Sequence, residues 1–224
     1  MMECYSLEEV AEIKMGEMMM NDKYLTRDGT PFITKETFNQ LFRKGRIHSL
    51  PKVSRSIQEQ YSFLQVPAKS ILVTKLNLKD TNIYQCETEL CIGRGIIAII
   101  PNESIVVSDY LFHFFKWYQL NKEGKNIYQI VIDLPTIAIQ YQVVHLLNRI
   151  QQLLANRDFL ITAVEGLPRY FSNISQQANQ QSRNLHQGFE QLQYLYMEIL
   201  HKIFNDQFLA DVHEHNFCQK LNNL

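Results

Sequence analysis

Nine basic side chains fall between residues 35 and 79: Lys35, Arg43, Lys44, Arg46, Lys52, Arg55, Lys69, Lys75 and Lys79. Only Glu36 and Glu59 oppose them, a balance of +7 in a chain whose net charge is −1. The flanking stretches are all negative, −4 over residues 1–34 and −2 over both 80–132 and 133–224. Lysine and arginine gathered in this way suit a surface that meets phosphates. An ordinary solvated, lysine-rich face has the same composition, and charge alone does not separate the two. His213-Glu214-His215 with Cys218 has the residue types of a metal site, but in a polar terminal stretch where no metal is expected. Gly93-Arg94-Gly95 lacks the spacing and the downstream lysine of a phosphate-cradling loop. His113 and His145 lie in apolar helical patterns and read as packed residues, not general bases. Neither a cofactor nor an enzymatic role is expected.

The elements that must position the basic segment are set by a long pattern downstream. Over residues 133–167 apolar side chains recur at Ile139, Val143, Leu146, Ile150 and Leu153, then past Arg157 at Leu160, Val164 and Leu167. Steps of four and three alternate, the heptad rhythm that keeps one seam on a partner helix. Val144, Leu147, Leu154 and Ile161 widen the seam. Pro135 suits a first helical turn, and Gly166 with Pro168 marks the end. Arg157 interrupts the seam, as a register device or the partner of an acid. Residues 171–184, rich in Ser, Asn and Gln, read as a loop or a polar helix start. Leu185, Phe189, Leu192, Tyr196, Ile199 and Ile203 then resume the rhythm. This second helix either folds back on the first as an antiparallel pair or joins a partner subunit. The final stretch reads as a weakly ordered end.

Upstream the pattern is α+β. Ser6 with Glu9 forms a capping box ahead of Val10 and Ile13, predicting a short helix over residues 6–14 that Gly16 ends. Met18, Met19 and Met20 read as core or rim rather than metal ligands. Asp28-Gly29 turns into a short strand over 30–34, and Phe38, Leu41 and Phe42 give one or two helical turns before Gly45. Pro67-Ala68-Lys69-Ser70 reads as a turn. Strands follow at 71–74, 82–86 and 96–100, the last fully apolar. An aromatic helix over 109–120 takes Ser108 as its N-cap, and an alternating strand over 127–134 hands over to the long helix. The division expected is therefore a globular domain over 1–134, a long helix over 135–171, and a polar connection with a C-terminal heptad helix over 172–224. No apolar run approaches the ~20 residues that span a bilayer. The acidic N-terminal stretch lacks a signal-peptide core, and Cys4, Cys86, Cys91 and Cys218 have no ligand-like pairing. A cytoplasmic protein with reduced thiols and no membrane contact is the expectation.

In their order, several short motifs resemble one family. Residues 7–16, Leu-Glu-Glu-Val-Ala-Glu-Ile-Lys-Met-Gly, are similar to an "L-G-E-I-x-x-I-x-x-G" opening, and Thr30-Pro31-Phe32-Ile33-Thr34 to "I-P-W-I-T". Residues 66–73 resemble "L-P-K-G-S-V-L-L", and residues 97–101 resemble "A-I-I-P". Residues 130–135 with Ile139-Gln140 resemble the "I-P-L-P-P-L-x-E-Q-x-x-I" that opens a long helix. Together these resemble the specificity subunits of type I restriction–modification enzymes, in a half-length form with one target-recognition domain, over roughly residues 5–171. Cys86-Glu87-Thr88-Glu89-Leu90 stands where the family often carries a polar "T-N-Q".

The resemblance implies a non-catalytic, sequence-specific reader of double-stranded DNA. Its long helix would space the recognition domains and dock methyltransferase subunits and, in the complete assembly, a restriction subunit. A single recognition domain would then act as a homodimer on a two-part site, joined through Ile139, Val143, Leu146, Ile150, Leu153, Arg157, Leu160 and Val164. It also implies DNA contacts from Lys35, Arg43, Lys44, Arg46, Lys52 and Arg55, with Lys75 and Lys79 behind them. The N-P-P-Y-like loop of adenine methyltransferases is absent, in keeping with methylation chemistry on a partner. A reading from another class is a coiled-coil scaffold or adaptor that binds protein instead of DNA.

Overall fold

Ser6 opens the fold. Its backbone N–H and its hydroxyl both donate to the Glu9 carboxylate, at 2.6 and 2.7 Å. These bonds complete the expected capping box and hold the Glu9 carboxyl below its usual range. The helix that follows, α1 (Leu7–Val10), is only one turn long. Ala11–Met15 is a strand, not the remainder of the predicted helix. All five of its residues pair antiparallel with Ile97–Pro101. That ladder outweighs the helical preference of a segment centred on β-branched Ile13.

The computed structural model describes residues 3–17, 22–44, 50–121, 126–156 and 172–204. Among them the order is β1 (Glu3–Ser6), α1, β2 (Ala11–Met15), β3 (Thr30–Ile33), α2 (Lys35–Lys44), β4 (Lys52–Val53), α3 (Arg55–Tyr61), β5 (Leu64–Val66) and β6 (Ile71–Val73). Then come β7 (Tyr84–Gln85), β8 (Leu90–Ile92), β9 (Ile97–Pro101), α4 (Ser108–Asn121), β10 (Val131–Leu134), α5 (Ile137–Ala155) and α6 (Ser172–Phe204). The chain divides into two compact units, Met1–Gln140 and Tyr141–Leu224. Met18, Met19 and Met20 lie outside the described residues, as do Arg157, Leu160 and Val164 of the predicted seam and the stretch holding His213, Glu214, His215 and Cys218.

Two four-stranded sheets, ordered β2-β9-β6-β7 and β4-β3-β8-β5, carry the first unit, and β1 pairs with β10 in a two-stranded ribbon. Among the described strands only β3 and β8 run parallel. β6, β8 and the first three residues of β9 are buried throughout, the continuous apolar runs of strands covered on both faces. One core gathers Ile33, Phe38, Val66, Leu72, Ile92 and Ile96. A second gathers Phe32, Val53, Phe63 and Cys91, with Phe32 and Phe63 edge to face at 5.1 Å. The turn before β6 closes through Lys69, a non-glycine at φ 70°. Its ammonium donates to Asp109 at 2.9 Å, and Gln85 donates to the same carboxylate at 2.8 Å.

The helix α4 is buried on nearly every side through Tyr110, Leu111, His113, Phe115 and Trp117, so His113 is a packed residue as expected. Ser108 is the first helical residue instead of the cap. Its hydroxyl donates to Glu103, and the Val107 N–H before it donates to Gln140 at 2.8 Å. The predicted strand over 127–134 is shortened at its start. Asn126 accepts from the Tyr128 N–H at 3.2 Å and sets a 3-10 turn at Ile127–Gln129 before β10 begins.

In the second unit, residues 172–184 are helical, which decides between the two readings of that polar stretch. Gln151 on α5 donates to the Tyr196 hydroxyl on α6 at 2.8 Å. Burial falls at Val143, Val144, Leu147 and Ile150, before Gln151, and at Leu200 and Ile203, after Tyr196. His145 is exposed, contrary to the packed position expected of it. It lies two residues from both Val143 and Leu147, a spacing that crosses to the other side of a helix.

Candidate nucleic-acid interface

The strand β4 positions the best-held cation. Lys52 pairs with Pro31 of β3, and the Thr26 N–H donates to the Lys52 carbonyl at 2.9 Å. The Phe32 N–H donates to the Pro51 carbonyl at 2.7 Å. With backbone bonds on both sides, residues 51–52 present the Lys52 side chain from a fixed base. Gly29 makes the preceding turn possible. Its φ is +137°, and a Cβ there would stand 2.3 Å from the Val53 carbonyl oxygen.

Lys52 lines an open cleft of about 490 Å³. It is lined by Thr26, Arg27, Pro31 and Pro51 of the β3–β4 region together with Tyr84, Glu87 and Thr88 of β7 and the connection to β8. β4 and β7, each the last strand of its sheet, both contribute residues to the cleft. Burial, with the Glu87 charge beside it, pushes the Tyr84 phenol up to about 12, so it stays a neutral hydroxyl donor at physiological pH. Burial likewise pushes the Cys86 thiol to about 12 and the Cys91 thiol to about 11. Both remain protonated, which removes them as nucleophiles at neutral pH.

The other predicted contacts are spread over the first unit. Lys35 opens α2 and is exposed, its aliphatic stem against Gly95, where a Cβ would meet Lys35 Cδ at 3.3 Å. It follows β3 at the end remote from Lys52, roughly 13 Å away at ~3.3 Å per strand residue. Arg43 and Lys44 belong to the last turn of α2, but their side chains lie outside the described residues, as does all of Arg46. Arg55 opens α3, 91% exposed, and its guanidinium binds Glu59 at 2.9 Å. Lys75 and Lys79 are exposed beyond the end of β6, in the other sheet, and do not join the cleft. Arg27, Tyr84, Glu87 and Thr88 were not among the predicted contacts. Of the predicted seam, Val143 and Ile150 are buried, Ile139 and Leu146 half-buried, and Leu153 is 54% exposed.

Gln140 is a further positioning residue. It is fully buried at the first turn of α5. Its carbonyl accepts from the Val107 N–H, and its amide donates to the carbonyls of Pro135 at 2.9 Å and Ile105 at 3.1 Å. The glutamine of the helix-opening motif was the signal for it. Among the described residues, no group of three or more His, Cys, Asp or Glu side chains could hold a metal ion, and no helix is long and apolar enough to cross a membrane.

Comparison with known proteins bears on what this surface meets. Residues 1–158 match the family model of the type I restriction modification DNA specificity domain. Curated proteins give no match. Among solved structures, the chain is similar to one from a study of complex assembly and conformational transition of the type I R-M system. That likeness has a TM-score of 0.50 and 21% identity, over 92% of this chain and 46% of that one, and it shows the fold. The chain is also similar to the HsdS subunit from Thermoanaerobacter tengcongensis, with TM-score 0.47, 20% identity and coverage of 92% and 45%. A third likeness is to the S subunit of a type I restriction-modification system from M. genitalium, with TM-score 0.46, 12% identity and coverage of 74% and 43%. The chain spans less than half the length of each of these structures.

Proposed function

The chain belongs to the family of type I restriction–modification DNA specificity domains, and from that premise we propose that it reads duplex DNA for a methyltransferase it does not itself contain. The observation that carries the proposal is the open cleft lined by the exposed Arg27 and the backbone-anchored Lys52. Exposed Lys35 continues the positive face along β3 to α2, and Arg43, Lys44 and Arg46 extend it in sequence. Such a face neutralises phosphates and releases counterions, so binding falls steeply with salt. In this reading Lys75 and Lys79 follow phosphates further along the duplex.

The helical unit serves as spacer and docking surface. Support comes from Tyr141, Leu153, Tyr194 and Leu195, large apolar side chains left exposed on α5 and α6. Two copies of a single recognition unit would read a two-part site with two-fold symmetry, and methyltransferase subunits would dock on the helices. Light scattering on the pure chain tests the pairing, and a strict monomer at micromolar concentration would sink the homodimer.

Fluorescence anisotropy with random-sequence duplex across a salt series tests DNA binding. With about six phosphate contacts, the slope of log K against log salt should be about −5. Reversing Arg43, Lys44 and Arg46 to glutamate should flatten that slope by about 3 and abolish measurable binding at physiological salt. A flat salt response, or binding untouched by the triple reversal, would count against the DNA reading and in favour of a protein-binding adaptor.

A further inference from the structure

Glu87 does not belong in a site built for phosphate alone. It is exposed and lines the cleft, where its carboxylate would repel a phosphate, together with Arg27 and Lys52. Three ion pairs are present among the described residues, Lys14–Glu12, Arg55–Glu59 and Lys69–Asp109, and none involves these three side chains. Opposite charges line one cleft without closing on each other. Each is left with hydrogen-bonding capacity for a third party that offers acceptors on one side and a donor on the other.

We propose that this cleft reads a single G·C base pair from the major groove, with Arg27 and Lys52 donating to the guanine and Glu87 accepting from the cytosine. The inference rests on the DNA-reading function proposed above. Guanine shows two acceptors on its major-groove edge, N7 and O6, and its paired cytosine shows the N4 amino donor. Two cationic donors and one carboxylate in one cleft match that edge in number and in sign. An A·T pair instead presents adenine's N7 acceptor and N6 donor, which suit an amide side chain, and a thymine methyl that would meet the Glu87 charge. Thr88 and the neutral Tyr84 hydroxyl complete the polar lining. Rigid support fits the role, because Lys52 is clamped by backbone bonds to both Thr26 and β3.

The test is enrichment sequencing from a pool of duplexes with a randomised region, using the full chain, Glu87→Gln and Arg27→Met, each first shown by thermal unfolding to be folded. The wild-type chain should enrich a motif containing an invariant G·C pair. Glu87→Gln and Arg27→Met should both relax preference at that same pair, by about tenfold, and leave the other positions of the motif unchanged. The salt slope should stay the same for Glu87→Gln, because no phosphate contact is lost. An unchanged motif in both variants, or a uniform loss of affinity across all sequences, would overturn the base-reading cleft while leaving the DNA-reading function intact. No enrichment by the wild-type chain would overturn both.

Discussion

Replacing Gly16 by alanine is expected to destabilise the first unit by about 3 kcal/mol or more. A Cβ at this position would stand 2.2 Å from the carbonyl oxygen of Gly93, 2.7 Å from its carbonyl carbon and 3.0 Å from the Ile92 oxygen. All three are backbone atoms, so no side chain can swing aside. Each side of the contact is also tied down. The Gly16 N–H donates to the Ile96 carbonyl at 2.9 Å, and the Gly93 N–H donates to the Ile33 carbonyl at 2.8 Å. The turn between β8 and β9 is thereby bonded to both four-stranded sheets, and a methyl group at Gly16 has to push it off one of them. In a unit of this size the loss corresponds to a fall in Tm of roughly 10 °C, read by circular dichroism. A Tm within ~2 °C of the wild type would mean that β2 and this turn do not approach each other as described.

Gln140→Leu should cost a comparable amount, about 3–5 kcal/mol, by a different route. Leucine fills much the same space, so the packing around α5 is kept and only the hydrogen bonds go. Two buried groups, the Val107 N–H and the Pro135 carbonyl, and the part-buried Ile105 carbonyl then lose their partner together. Groups stranded in a low-dielectric site bear nearly the full desolvation penalty, which is why the change exceeds the worth of three ordinary exposed bonds. Denaturant unfolding of wild type and variant measures it. A difference under ~1 kcal/mol would show that water enters and replaces the amide.

Much of the fold was legible where burial is continuous or local bonds suffice. The apolar runs at 71–73 and 97–99, the aromatic helix at 108–121 and the Ser6–Glu9 box all stand where their patterns predict. β4, β5 and β8, of two or three residues each, leave too short a pattern to read, and their existence depends on partners far along the chain. The same non-locality limited the site. The segment rich in Lys and Arg is contiguous in sequence, yet folding sends Lys52 to one sheet edge and Lys75 and Lys79 beyond the end of a strand in the other sheet. Arg27 lies in the acidic N-terminal stretch and Glu87 in an acidic one downstream, so neither was flagged by local charge. Lys69 shows a subtler effect: it sits at φ 70° where the family motif places glycine. Its ion pair with Asp109 is consistent with a lysine retained in a backbone conformation that favours glycine.

The ribbon of β1 and β10 pairs Glu3 with Leu134, and β2 pairs Ala11 with Pro101. A ribosome adding ~5–20 residues per second needs roughly 7–26 s to go from the first of these positions to the last. For that interval the earliest strands exist without the ladders that hold them in the native unit. Late, long-range pairing of this kind also slows folding once the chain is complete. The interval between making the first strand and pairing it therefore leaves unpaired strand edges open to aggregation, and slower pairing would lower the yield of folded protein.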